Sequence, residues 1–112
     1  MTPRSFALAA GQVDLSGRKT AILLVDGQPA YTYRGDGHSP AEVRCFDACA
    51  ADWQPAVTKG PALELSGLDS ARVTSTVRAD GYLQLTYDGR PLYFPKRPRP
   101  VRSDDEWAVA RI

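Results

Sequence analysis

Hydrophobic residues in this chain come in short runs of alternating or continuous character, bounded by Gly, Pro, Asp and Ser. Ala21-Ile22-Leu23-Leu24-Val25 is apolar throughout, which fits a strand covered on both faces. Val73, Ser75 and Val77 alternate with polar neighbours. Trp107, Val109 and Arg111 alternate with Ala108, Ala110 and Ile112. Runs of this length and period predict strands over 7–13, 20–25, 30–33, 72–78, 82–87 and 107–112. Asp26-Gly27, Asp80-Gly81 and Asp88-Gly89 stand between such runs, and Asp-Gly between strands is a hairpin signal. Residues 73–94 therefore predict three antiparallel strands joined by two tight turns. Leu63 and Leu65 alternate briefly, and 68–71 suggests one helical turn. Ser39-Pro40-Ala41-Glu42 has the form of a helix start, with a capping Ser, Pro at the first position and Glu completing a capping box. It predicts a short helix over about 41–52 that carries both cysteines. Pro95, Pro98 and Pro100 favour polyproline II over 95–102.

One segment occurs twice. Asp26-Gly27-Gln28-Pro29-Ala30-Tyr31 returns as Asp88-Gly89-Arg90-Pro91-Leu92-Tyr93, an offset of 88 − 26 = 62 residues. Each copy follows an apolar run, so the chain predicts two related half-units, about 20–60 and 73–112, after an N-terminal segment 1–19. The expected fold is mainly β, with α+β at the margin. It is a small antiparallel sheet or barrel-like domain built from two hairpin-centred repeats, with one short helix.

At 112 residues the chain is one domain. A net charge of +1 gives no global pull towards nucleic acid or membrane. No run is long enough for a transmembrane segment. The apolar stretch after Arg4 is too short for a complete leader peptide.

Tyr31-Thr32-Tyr33-Arg34-Gly35-Asp36 resembles the Tyr-x-(Phe/Trp/Tyr)-x-x-Asp motif of a family of bacterial secreted lipoproteins described as a repeat of unknown function. Cys45 to Pro55, with two cysteines, small residues, Trp53 and a proline, looks like that family's next block. Arg78 to Phe94 looks like its second. The resemblance covers roughly 20–112. In the second copy Pro95-Lys96-Arg97-Pro98 replaces the expected Gly-Asp, and no lipobox cysteine is visible. The resemblance implies an extracytoplasmic location, periplasm or cell surface, with the leader absent from this chain. It implies no reaction.

Cys45 and Cys49 share a face if helical, at a Cα separation near the upper limit for a disulfide. A staple before Trp53 is the first reading, worth only ~2 kcal/mol for so small a loop. A redox pair with one low-pKa thiolate is the rival; free thiols or a metal site completed by His38 and Asp36 or Asp47 are weaker, and no metal is assigned. Tyr31, Tyr33, Trp53 and Tyr93 fill the core between the repeats or flank a ligand cleft, with Asp36 accepting a hydrogen bond there. Otherwise Asp36 binds amides of its own loop. Lys96, Arg97, Arg99 and Arg102 form a basic surface loop, either solvated and balanced by Asp104, Asp105 and Glu106 or facing an anionic partner such as an acidic polysaccharide, lipid headgroups or an acidic protein. Nucleic acid is not expected, since aromatics do not interleave with these charges. One His, no nucleophile elbow and no phosphate loop leave no catalytic residues and no cofactor to assign. The sequence reads as a non-enzymatic extracytoplasmic module that binds an unidentified ligand or envelope protein. The alternative is a thiol–disulfide or electron-transfer component using Cys45 and Cys49.

Overall fold

Two turns of one kind organise the chain. Asp26 and Gly27 have φ of 50° and 79°, and Asp88 and Gly89 have φ of 54° and 77°. Two successive left-handed residues make the type I′ turn whose twist matches paired strands. The computed structural model describes residues 2–61 and 64–112; the expected alternation of Leu63 with Leu65 lies partly outside them. Strands β1 (Ala7–Leu15), β2 (Arg18–Val25), β3 (Gln28–Pro29) and β4 (Tyr31–Tyr33) lead through the first turn. Strands β5 (Gly37–His38) and β6 (Ala41–Glu42), the 3-10 turn η1 (Cys49–Ala51), β7 (Trp53–Pro55) and β8 (Val57–Thr58) follow. Then come β9 (Glu64–Ser66), the 3-10 turn η2 (Ser70–Arg72), β10 (Val73–Val77), β11 (Leu83–Tyr87), β12 (Arg90–Pro95) and β13 (Trp107–Val109).

The repeat in sequence is a repeat in register. Across the first turn Val25 faces Gln28 and Leu24 faces Pro29. Across the second, 62 residues on, Tyr87 faces Arg90 and Thr86 faces Pro91. Beyond these two pairs each hairpin splays, and a third strand fills the gap. In the second hairpin that strand is 53–58, with β7 on β12 and β8 on β11. In the first it is 107–112, with β13 on β4 and Arg111 bridging to Ile22. The bonds match one for one. The Leu23 N–H donates to the Ala110 carbonyl at 2.9 Å, as Leu85 does to Ala56 at 2.9 Å. The Ala110 N–H donates to Ala30 at 2.8 Å, as Ala56 does to Leu92 at 3.0 Å. Arg34 donates to Glu106 as Lys96 does to Asp52. Each half thus completes the other's hairpin with its own last strand.

The outer strands obey the same rule. β1 lies antiparallel on β2, with Leu8 opposite Val25, and β10 lies antiparallel on β11, with Val73 opposite Tyr87. The first half therefore takes in β1, which the hydrophobic pattern alone leaves in an N-terminal segment. The halves join where β4 meets β12, with Tyr31 opposite Tyr93 and Thr32 opposite Leu92. A two-fold rotation exchanging the copies maps the Tyr31–Tyr93 pair onto itself, so the local axis passes there.

The fold is mainly β and rich in hairpins, as expected. The sheets are antiparallel except where β9 runs parallel to β1, and they do not close into a barrel. The helix over 41–52 is absent, and with it the helix carrying the cysteines. Ser39 and Pro40 instead turn the small β5–β6 hairpin. Val43 and Cys45 point inward while Glu42 and Arg44 point out, a period of two that overrides the capping signal. Val77 also departs from expectation: it lies exposed on an edge strand rather than on a buried face. Eleven buried residues including Phe6, Leu23, Leu85 and Phe94 form one core cluster, and a second surrounds the two-fold axis.

Candidate functional site

Four aromatic side chains meet at the axis. The Trp53 and Trp107 rings stack with centroids 4.0 Å apart and planes inclined by 13°. Tyr31 meets Trp53 edge-on at 4.9 Å, and Tyr93 meets Trp107 edge-on at 5.1 Å. These are matched contacts, because Trp53 and Trp107 occupy equivalent places in the two exchanged strands. Tyr33 adds a tilted contact to Trp107 at 5.0 Å. Tyr31 and Tyr93 are 1% and 0% exposed. Burial this complete makes the cluster the core between the halves, and no open cleft separates Tyr31 from Tyr93. Trp107 was not singled out by its surroundings in sequence. Its signal was there: Trp53-Gln54-Pro55-Ala56 and Trp107-Ala108-Val109-Ala110 share Trp-x-x-Ala.

Asp36 ties the first copy to the second. Its Oδ2 accepts the Tyr93 hydroxyl at 2.7 Å, and its Oδ1 accepts the Arg44 N–H at 2.7 Å. Burial pushes this carboxyl above the usual carboxylate range, and the two donors only partly oppose it. Burial, and then the facing carboxylate, raise the Tyr93 phenol. Asp36 therefore braces its own loop and the opposite half at once. A second buried polar chain lies nearby: the Arg78 guanidinium donates to Gln84 Oε1 at 2.6 Å, and Gln84 Nε2 donates to the Leu92 carbonyl at 2.8 Å. Phe46 covers Arg78, whose guanidinium lies 5.0 Å from the ring centre.

Cys45 and Cys49 form a disulfide with Cα atoms 5.2 Å apart. Cys45 is buried in the aromatic cluster and Cys49 packs against it. Bonded to each other, the two sulfurs leave no thiolate for a metal, and the described residues contain no cluster of His, Cys, Asp and Glu suited to one. His38 lies in the β5–β6 hairpin, exposed.

The basic segment 96–102 crosses the edge of the cluster as a strap without regular secondary structure. Arg99 is its anchor. Its guanidinium sits 5.0 Å from the Trp53 ring centre and 6.0 Å from that of Tyr31, within cation–π reach. It also pairs with Asp104 at 3.7 Å. Asp104 is in turn fixed by the N–H groups of Trp107 and Glu106, at 2.8 and 2.9 Å. Those donors, with Arg99 and Arg102 beyond them, hold its carboxyl below the ordinary range. Lys96, Arg97 and Arg102 are exposed, and none has an ion-pair partner among the described residues. A cavity of about 330 Å³ lies on one side of the strap, floored by Tyr31, Gln28 and Pro29. A second of about 280 Å³ lies on the other, beside Trp53 and Asp52. The structure thus brings Tyr31, Trp53 and the basic residues together and leaves Asp36 and the disulfide as bracing beneath them. No family model, curated protein or solved structure matches the chain.

Proposed function

We propose that the chain is a non-enzymatic binding module that works outside the cytoplasm and takes an anionic partner on the strap, an acidic polysaccharide first among the candidates. The observation that carries this is the split among the four cations. Arg99 is spent on Trp53, Tyr31 and Asp104, which holds the strap in place. Lys96, Arg97 and Arg102 stand free on the scaffold so made. Fixed, unpaired charges beside shallow cavities favour contact with an extended polyanion, in a manner screened by salt. The disulfide supports an oxidising compartment, and so does the resemblance to secreted lipoprotein repeats. The redox alternative has less to support it: Cys45 is 1% exposed and Cys49 half-buried, and η1 is too short to lower a thiol pKa through a helix terminus.

The test is titration with polygalacturonate at low and high salt, for the parent chain and for K96Q/R97Q/R102Q. Binding that weakens with salt and is lost in the triple variant supports the reading. Equal binding by both proteins, or none by either, sinks it.

A further inference from the structure

The two halves match closely in backbone and differ sharply in charge at one set of equivalent positions. Arg90 corresponds to Gln28, Arg111 to Val57 and Tyr87 to Val25, while Arg34 corresponds to Lys96. These second-half residues and Arg34 line one cavity of about 410 Å³, with Ser103 and Val109 completing its wall. It shares no lining residue with the two cavities beside the strap.

The charge in this cavity is only partly compensated. Asp88 reaches it, but the Arg72 guanidinium grips both oxygens of that carboxylate. Arg34 gives only its Nε, to the Asp104 carbonyl at 3.0 Å, which leaves its two terminal nitrogens. The Arg90 and Arg111 side chains have no hydrogen-bond or ion-pair partner among the described residues. The Ser103 hydroxyl already accepts the Val109 N–H at 3.0 Å, so its own proton is free to be donated.

We propose that this cavity binds a small organic ester of a tetrahedral oxyanion, a phosphate or sulfate monoester. Guanidinium groups suit such oxygens because their N–H fork binds two at once. Three of them suit the three outer oxygens of either ester better than the two of a carboxylate, and they balance the dianion of a phosphate monoester. The Ser103 hydroxyl adds a neutral donor. Val109, with Ala108 and Ala110 beside it, gives the organic part an apolar wall, and the volume is in the range of small-molecule sites, about 300–1,000 Å³. At the matched place Val57 and Lys96 line a cavity of about 390 Å³ with Arg4 and Arg78, but those two arginines are paired with Asp26 and Asp80.

Phenyl phosphate, phenyl sulfate and benzoate are titrated against the full chain by calorimetry, with amide shifts to locate binding. Saturable binding of phenyl phosphate or phenyl sulfate is expected, with shifts at 87–90 and 108–111. The tighter of the two esters identifies the oxyanion. Each of R90Q and R111Q should weaken it about tenfold, as expected for loss of one charge-assisted contact. K96Q/R97Q/R102Q should bind as the parent does, which separates this site from the strap. Absence of saturation, indifference to R90Q/R111Q, loss in the strap variant, or benzoate binding as tightly as both esters would each overturn the proposal.

Discussion

The two halves share a hairpin and differ in the loop that joins it to the exchanged strand. In the first half that loop runs from Arg34 to Asp52, and in the second from Lys96 to Glu106. The first is inward-facing: Asp36 binds the opposite half, Cys45 is stapled to Cys49, and Phe46 covers Arg78. The second is shorter, contains Pro98 and Pro100, and turns Lys96, Arg97 and Arg102 outward. One loop is tied into the fold, and its counterpart carries exposed charge.

The largest expected effect tests the shared part. Trp53→Ala and Trp107→Ala should each destabilise by about 3–5 kcal/mol, the usual range for truncating a buried aromatic, and by similar amounts, because each removes half of one stacked pair. Denaturant titration reads this, and unequal losses would break the equivalence. Next comes the staple. C45A/C49A should lose ~2 kcal/mol from the small closed loop alone, while an alanine at Arg99 should lose about 0.5–1 kcal/mol and, unlike the cysteine pair, weaken polyanion binding. Equal effects on binding would erase the division of labour between the loops.

Tyr93→Phe should cost about 1–3 kcal/mol, because it leaves one buried Asp36 oxygen without its donor. Its pH dependence has a definite sign. Burial raises the Asp36 pKa in the folded state, so the native carboxyl holds its proton more tightly than the unfolded one. Stability from this group is greatest at low pH and declines as pH rises through and above the ordinary value of about 3.9. The loss in Y93F should therefore be smaller near pH 4 than at neutral pH, by denaturant titration at both. Asp104 does the reverse. Its folded pKa is lowered by the Trp107 and Glu106 amides, so its contribution is complete above the unfolded value and disappears as pH falls through the folded one. Acidification should loosen the strap, a small change visible in Trp fluorescence and mimicked by D104N.

Much of this architecture was legible. Apolar runs and Asp-Gly pairs located both hairpins, and the 62-residue offset held bond for bond. The exchange of last strands was not legible, because nothing in Trp53–Thr58 says which hairpin it completes; that is settled by long-range pairing. The helix over 41–52 failed because capping residues speak only for local preference, whereas Val43 and Cys45 are claimed by the core. The strap residues were found by charge alone, but Arg99 was not distinguishable from its neighbours until its place over Trp53 was known. Arg90 and Arg111 went unnoticed, being 21 residues apart in sequence and joined only by the fold.

Mapping amide shifts along the full chain during polygalacturonate titration tests the central claim most directly. Shifts centred on 96–102 and the Trp53 indole, with 41–50 unmoved, are the predicted result. Shifts centred on the disulfide loop, or none at any residue, would contradict it.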